Sequence, residues 1–163
     1  MYNTIEDFFV DWRHETANTE KLFEYLSDEG LQQQVYSEGR TLARLAFHLS
    51  LTTAEMLKKM GCQVQDYSEE LPDTAKELQN ILNQVNAASI TELSKQDNDW
   101  LEEKVPMYRE PWQRKFGLSV LIRHHIHHRG QMTVLMRQAR LKVPGLYGPA
   151  KEEWEVFGSP AME

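Results

Sequence analysis

The sequence has 163 residues, of which 40% are hydrophobic and 26% are charged, and its formal net charge at pH 7 is −7. A chain of this length can bury about two thirds of its unfolded surface around one core, so we expect a single domain over residues 1–163. The acidic balance and the dispersed basic residues disfavour a nucleic-acid-binding surface. No apolar run approaches the roughly 18 residues that a membrane span needs, so we do not expect membrane insertion. With nucleic acid and membrane both disfavoured, we expect a small molecule as the partner.

The N-terminus and the cysteine content both predict a cytoplasmic protein. The opening MYNTIEDFFVDW has neither the basic start nor the uninterrupted apolar stretch of a secretory signal. The single cysteine, Cys62, cannot form an internal disulfide, which agrees with a reducing compartment. Cys62 follows Gly61 at a predicted helix end, and we interpret the thiol as incidental to function.

Two of the predicted helices carry recognisable N-terminal caps. The first covers about residues 4–26, with Thr4 as the cap and apolar residues recurring at spacings of three and four. The third opens with Asp73 or Thr74 as the cap, and Glu77 can complete a capping box with Thr74. We expect the third helix to fade in the 90s.

The second and fourth predicted helices are bounded by turn signals. The second begins near Arg40 or Thr41 and ends at Gly61, which suits the left-handed position after a helix. The fourth begins near Gly117 and ends before the turn-rich stretch that starts at Lys142.

These elements predict an all-α four-helix bundle with a short irregular C-terminal tail, in which sites form between facing helices. Strand content should be small, although residues 103–116 could hold an extended stretch. The tail could contain one helical turn around Trp154. After Pro149 it could fold over the site, form a dimer contact, or do neither.

Four of the six histidines lie in the single stretch RHHIHHRGQ on the fourth helix. His124 and His128 are i and i+4 neighbours on its apolar face, the spacing that lets two imidazoles approach one metal ion. His125 with His128, at i and i+3, is the geometric alternative. A third donor must come from another helix: His48 shares the apolar face of the second helix, whereas His14 is predicted to lie on the surface.

A single histidine on an apolar helix face is more often a hydrogen-bonded core residue than a ligand. Three imidazoles buried together leave several ring nitrogens without partners, and one divalent ion satisfies three of them. Of the residues that follow, Arg129 could pair with an inward carboxylate or lie on the surface. Gly130 is predicted to mark a close helix contact, and Gln131 could orient a ligand or lie on the surface.

The string LAFHL around His48, together with HHIHHRGQ starting at His124, resembles the DinB-like, or YfiT-like, superfamily of metal-binding four-helix bundles. The resemblance covers nearly the whole chain, and the H-x-x-x-H-R-G-Q pattern is its most specific part. It implies that a divalent metal ion, usually zinc or nickel, is held by His48, His124 and His128. It also implies a homodimer.

Members of this superfamily include thiol-dependent S-transferases that use bacillithiol or mycothiol, a thiol-dependent maleylpyruvate isomerase, and proteins once described as metal-dependent hydrolases. An ion held by three neutral imidazoles keeps an open position in which a thiol is deprotonated or water becomes hydroxide. We therefore predict a metal-dependent S-transferase that conjugates a low-molecular-weight thiol such as bacillithiol to an electrophilic small molecule.

Two alternatives remain at this stage. The first is metal-dependent hydrolysis of a small molecule, which normally uses a general base beside the water. The fourth helix offers no glutamate between its histidines, and Glu55 lies about 10 Å from His48 along the second helix by helical rise, outside the expected ligand set. The second alternative is a non-catalytic, metal-binding stress protein.

Overall fold

The computed structural model describes residues 1–161, which form four long helices and one small hairpin. In chain order the helices are α1 (Ile5–Phe23), α2 (Leu42–Lys59), α3 (Ala75–Leu93), α4 (Asn98–Glu102) and α5 (Arg114–Gln138). An antiparallel hairpin of β1 (Lys104–Met107) and β2 (Glu110–Gln113) lies between α4 and α5, inside the stretch predicted to be extended. Short 3₁₀ helices cover Asp28–Gly30 and Lys151–Phe157, and the second of these contains the predicted turn around Trp154.

Each of the four long helices packs against two of the others around a common core. Helix α1 packs against α3 and α5, and α2 packs against the same two helices, so that α1 and α2 lie on opposite corners. Buried apolar side chains from all four helices fill the centre in two clusters, one around Phe8 and Trp12 and the other around Leu22 and Leu45. The predicted four-helix bundle is confirmed. No helix within residues 1–161 carries an apolar stretch long enough to span a bilayer.

The predicted caps begin the helices where the sequence indicates. The hydroxyls of Thr4 and Thr74 accept backbone N–H groups from the first turns of α1 and α3, and both threonines form full capping boxes. The Thr41 hydroxyl caps α2 in the same way without an acidic partner. Gly61 follows α2 with φ +95°, a conformation that glycine adopts without a Cβ penalty.

Helix bounds differ from the prediction at two places. Helix α1 ends at Phe23 and not near Leu26, because the N–H groups of Tyr25 and Leu26 bond to carbonyls three residues back and tighten the chain. Leu26 stays buried in that turn, so the apolar pattern continues after the helix has ended. Helix α5 begins at Arg114, before Gly117, and the short helix α4 was not predicted.

Helices α2 and α5 run antiparallel, and their register places His48 opposite the histidine-rich turn of α5. Met60, just after α2, lies beside Gly117 near the start of α5, where a Cβ would be 2.8 Å from the Met60 Sδ atom. One step further along, the Thr53 Oγ1 atom is 2.7 Å from the Nε2 atom of His125. Further toward the start of α2, His48 faces His124 of α5 in the same way.

The prediction that Gly130 marks a close helix contact is wrong. Gly130 is exposed, and a Cβ at this position would have no atom from another element of residues 1–161 within 4 Å. The close approach lies at Gly117 instead. The sequence pattern places a glycine within a helix, but it does not show whether that position faces a neighbouring helix or the solvent.

Candidate metal centre

Three histidines from two helices converge between α2 and α5. One ring nitrogen from each of His48, His124 and His128 lies within 4.8 Å of the others. The Nε2 atoms of His48 and His124 are 3.2 Å apart. The ring centre of His128 is 4.8 Å from that of His48 and 4.4 Å from that of His124. We refer to these residues as the three-histidine cluster.

Hydrogen bonds orient two of the three rings. The His48 Nδ1 atom lies 3.2 Å from the Thr52 hydroxyl, one turn further along α2. The His128 Nδ1 atom lies 2.7 Å from the Gln131 Oε1 atom, and because an amide oxygen only accepts, the ring hydrogen is assigned to Nδ1. Both arrangements leave Nε2 free to point inward. The Nδ1 atom of His124 is buried without a partner, so packing holds that ring.

Of these supporting residues, the sequence indicates two alternatives for Gln131, orienting a ligand or lying on the surface, and it does not single out Thr52. The sequence signal for Thr52 was its spacing of four residues after His48, which places both side chains on one face of the helix. Threonine at such a position also fits a buried helix face without any partner, so the pattern did not single it out.

The environment keeps the cluster uncharged. Burial, followed by the charge of the neighbouring His128, lowers the pKa of His48 to about 4. Burial likewise lowers the pKa of His124 to about 4, with further contributions from His128 and His48. The pKa of His128 is also lowered, mainly by burial. All three imidazoles are therefore neutral at pH 7, with lone pairs available for a ligand.

His125, the geometric alternative to His124, is a core residue. It is fully buried, with Nε2 2.7 Å from the Thr53 hydroxyl and its ring edge-on to Trp12 at a centroid distance of 5.1 Å. Burial lowers the pKa of His125 to about 3. It lies outside the cluster and acts as a hydrogen-bonded packing residue.

The remaining two histidines, His14 and His127, are exposed. His14 lies on the surface of α1 as predicted and bonds to Asn18. His127 sits beside the cluster, its ring centre 4.9 Å from that of His128, and its Nε2 atom is 3.2 Å from the Gln131 Nε2 atom. Gln131 thus bridges His127 and His128.

Arg129 pairs with an inward carboxylate, the first of its two predicted alternatives. Its guanidinium is 1% exposed and forms an ion pair with Glu15 of α1. The same group donates to the Thr19 hydroxyl at 2.9 Å, while the Tyr147 hydroxyl donates to Glu15 at 2.6 Å. Tyr147 contacts both Arg129 of α5 and Glu15 of α1, so this network connects the segment after α5 to both helices. Within residues 1–161, no tail side chain lines the cleft beside His128 or the cleft beside His48.

Two clefts reach the cluster from outside. One, of about 570 Å³, is lined by His128 and Gln131. The other, of about 450 Å³, is lined by His48 and Thr52. Glu55 also lines the second cleft, but it is exposed and its carboxylate is 3.7 Å from the Lys59 ammonium. Within the described residues no carboxylate belongs to the cluster.

The cluster has the donor set of a divalent metal site, and one pair of its nitrogens has the separation that a tetrahedral ion requires. Two nitrogens bound to one tetrahedral zinc at 2.0–2.1 Å lie about 3.3 Å apart. The His48 and His124 Nε2 atoms are separated by 3.2 Å, and the neutral rings need not lose a proton to bind. The three residues could therefore hold a metal ion with at least one coordination position left open.

Comparisons with known proteins show what the chain is similar to. The DinB family model matches residues 1–162. The chain is 38% identical over 166 aligned positions to the uncharacterized protein YrdA of Bacillus subtilis strain 168, covering 99% of this chain and 98% of that protein. The crystal structure of a DinB-like protein from Bacillus cereus ATCC 10987 superposes with a TM-score of 0.86 at 37% identity, covering 90% of this chain and 100% of that one.

A second solved structure, the DinB-like protein YjoA of Bacillus subtilis, shares the fold at 16% identity with a TM-score of 0.70, covering 86% of this chain and 97% of that one. Its low identity makes it a comparison of folds alone. The family match over nearly the whole sequence and the relatives at 37% and 38% identity carry the assignment. The chain belongs to the DinB family.

Proposed function

We propose that the three-histidine cluster binds one divalent metal ion, zinc or nickel, and that the protein transfers a low-molecular-weight thiol to an electrophilic small molecule. The observation that carries the proposal is the convergence of three neutral imidazoles within 4.8 Å of one another, beside clefts open to a ligand. Nitrogen-rich sites accept both metals, so the choice between them rests on supply.

When bound at such a site, a divalent ion supplies uncompensated positive charge, which lowers the pKa of a thiol or a water molecule in its open position. The chain's own residues would act around that position. His48 and His128, oriented by Thr52 and Gln131, would hold their Nε2 atoms inward. The clefts would admit the thiol and its acceptor.

The chain's own thiol is unsuited to this chemistry. Cys62 is the single cysteine of the sequence, it is buried, and burial raises its pKa to about 11. A protonated, inaccessible thiol is a poor nucleophile. The attacking sulfur would therefore belong to a small-molecule thiol such as bacillithiol.

Hydrolysis is the second candidate, and His127 is the observation in its favour. Its exposed imidazole lines the same cleft as His128 and could accept a proton from an attacking water. Within residues 1–161 no carboxylate belongs to the cluster, and this favours thiol transfer, because a thiol at a metal ion ionises without a base.

Cobalt-substituted protein tests the proposal. With 2-mercaptoethanol as the probe, we expect a thiolate-to-cobalt absorption band in the wild type and none in His128→Ala. We also expect accelerated conjugation of 2-mercaptoethanol to monochlorobimane, in which a carbon–sulfur bond forms and chloride leaves. Folded, cobalt-loaded protein with no spectral response would contradict thiol transfer.

The same preparation separates the alternatives. Turnover of an ester substrate without added thiol, lost in His127→Gln, would favour hydrolysis. Unfolding on metal removal, with neither thiol nor ester engaging the ion, would favour a non-catalytic metal-binding role. Dimerisation stays a prediction, to be measured by sedimentation.

A further inference from the structure

The 570 Å³ cleft beside His128 has a volume typical of small-molecule sites. It lies between α5 and the loop that leads into α2. Its walls are largely apolar, formed by side chains of Val35 and Tyr36 from the loop and of Val134 and Leu135 from α5. Three of these side chains are exposed although apolar: Val35 and Tyr36 at 63% and Val134 at 51%. An exposed apolar wall beside a reactive centre suits an apolar ligand.

Arg40 is the only formally charged side chain among the described residues that line this cleft. Within residues 1–161 its guanidinium pairs with no carboxylate, although the chain carries 25 acidic and 18 basic residues. Its charge also acts on the cluster, since Arg40 contributes to the lowered pKa values of His48, His124 and His128. A cation without a carboxylate partner among residues 1–161 therefore lines the cleft beside the candidate metal centre.

The loop that carries Arg40 is tied in place. The N–H groups of Leu42 and Ala43 donate to carbonyls of the preceding loop at 2.8 Å and 3.0 Å. Gly39 closes a turn with its N–H 2.8 Å from the Tyr36 carbonyl, and a Cβ on Gly39 would lie 3.2 Å from the Tyr36 ring. A side chain larger than that of glycine would therefore crowd the Tyr36 ring at this turn. The cleft wall is largely preformed.

We propose that this cleft binds an organic anion with an apolar body, with its carboxylate or sulfonate on Arg40 and its apolar part against Val35, Tyr36 and Val134. The inference rests on the proposed function in one respect, because it names the substrate class for the same centre. A guanidinium without a carboxylate partner can donate two parallel hydrogen bonds to such an anion. The apolar wall disfavours anions that have no apolar part.

Two matched fluorescent probes test the proposal on folded, full-length protein without metal. The anionic probe is 8-anilino-1-naphthalenesulfonate, and the neutral one is N-phenyl-1-naphthylamine, which has the same ring system without the sulfonate. We expect Arg40→Gln to weaken binding of the anionic probe about fivefold, the effect of losing a charge-assisted contact at an exposed position. Binding of the neutral probe should not change.

Two further variants provide the controls. Arg123→Gln removes the same charge from an exposed site on α5 whose charge acts on Tyr2, and it should change neither affinity. Val134→Asn, on the exposed part of the apolar wall, should weaken both probes. Equal effects of Arg40→Gln and Arg123→Gln, or no effect of Arg40→Gln, would overturn the assignment of Arg40. No effect of Val134→Asn would remove the cleft as the site.

A zinc-loaded arm separates this inference from the proposed function. Zinc at the neighbouring cluster should strengthen binding of the anionic probe and leave binding of the neutral probe unaltered. If the protein takes up no zinc, the proposed metal centre fails, but the metal-free comparison of Arg40→Gln with Arg123→Gln still decides the inference about the cleft.

Discussion

The Nε2 atoms of His48 and His124 lie 3.2 Å apart, although 76 positions separate the two residues in the sequence. The antiparallel register of α2 and α5 produces this contact, and His128 joins it from the next turn of α5. Two neutral imidazole nitrogens at this separation either share one hydrogen or bind one cation between them, and the third ring favours the cation.

The first prediction concerns metal content. We expect about one divalent ion per chain in untagged protein, measured by elemental analysis. Alanine at His48, His124 or His128 should lower zinc affinity more than the roughly 10- to 100-fold that loss of a supporting residue costs. His127→Ala should retain the metal, because that exposed ring lies outside the cluster. Full occupancy in His128→Ala would refute the ligand assignment.

The second prediction concerns Gln131, whose Oε1 atom accepts from His128 at 2.7 Å. Gln131→Ala should weaken zinc binding by about 10-fold or more while leaving the fold intact, because the ring loses the partner that fixes its tautomer. Competition with a chelator of known affinity measures the change. Gln138→Ala, an exposed glutamine at the end of α5, is the matched control. Equal affinities for the two variants would show that the hydrogen bond is incidental.

The third prediction concerns the buried pair of Arg129 and Glu15, whose side chains are 1% and 8% exposed. Arg129→Met should lower the free energy of unfolding by about 3–5 kcal/mol, because it leaves the Glu15 carboxylate buried without its partner. Urea denaturation followed by circular dichroism measures this. The double variant with Glu15→Leu should lose less free energy of unfolding than Arg129→Met alone. A larger loss in the double variant would mean that packing, and not the stranded charge, dominates.

The fourth prediction concerns the pH dependence of Cys62. Burial raises its pKa from 9.0 to about 11, so its contribution to stability is complete below pH 9.0 and is lost as the pH rises through about 11. At pH 8 the native thiol should react with 5,5′-dithiobis(2-nitrobenzoate) at least about 100-fold more slowly than the unfolded chain, since two pKa units remove that much thiolate. Comparable rates in the native and urea-unfolded protein would contradict burial of the thiol.

The fifth prediction uses two glycines of the same helix. Gly130→Ala should raise the free energy of unfolding by about 1 kcal/mol, because alanine favours the helix and nothing within 4 Å opposes a Cβ. Gly117→Ala should lose most or all of that gain, because its Cβ would be 2.8 Å from Met60, which must shift in the core. Thermal unfolding of both variants checks the order. Equal gains would show that Met60 moves aside freely.

Much of the site followed from local pattern. The spacing of His124 and His128 placed both on one helix face, since the α-helical period brings residues four apart together. Polar residues at the starts of two helices predicted the caps, and Thr4 and Thr74 occupy those positions. These features depend on contacts within a few residues of sequence, which the chain encodes directly.

The sequence by itself therefore determined the four long helices, the caps of α1 and α3, and the shared face of His124 and His128 on α5. Only the tertiary structure decided that His48 faces them, that His125 turns to Thr53 and Trp12, and that Gly117, not Gly130, meets a neighbour. The reason is that helical periodicity fixes which residues share a face, whereas the register and rotation of one helix against another come from packing of the whole core.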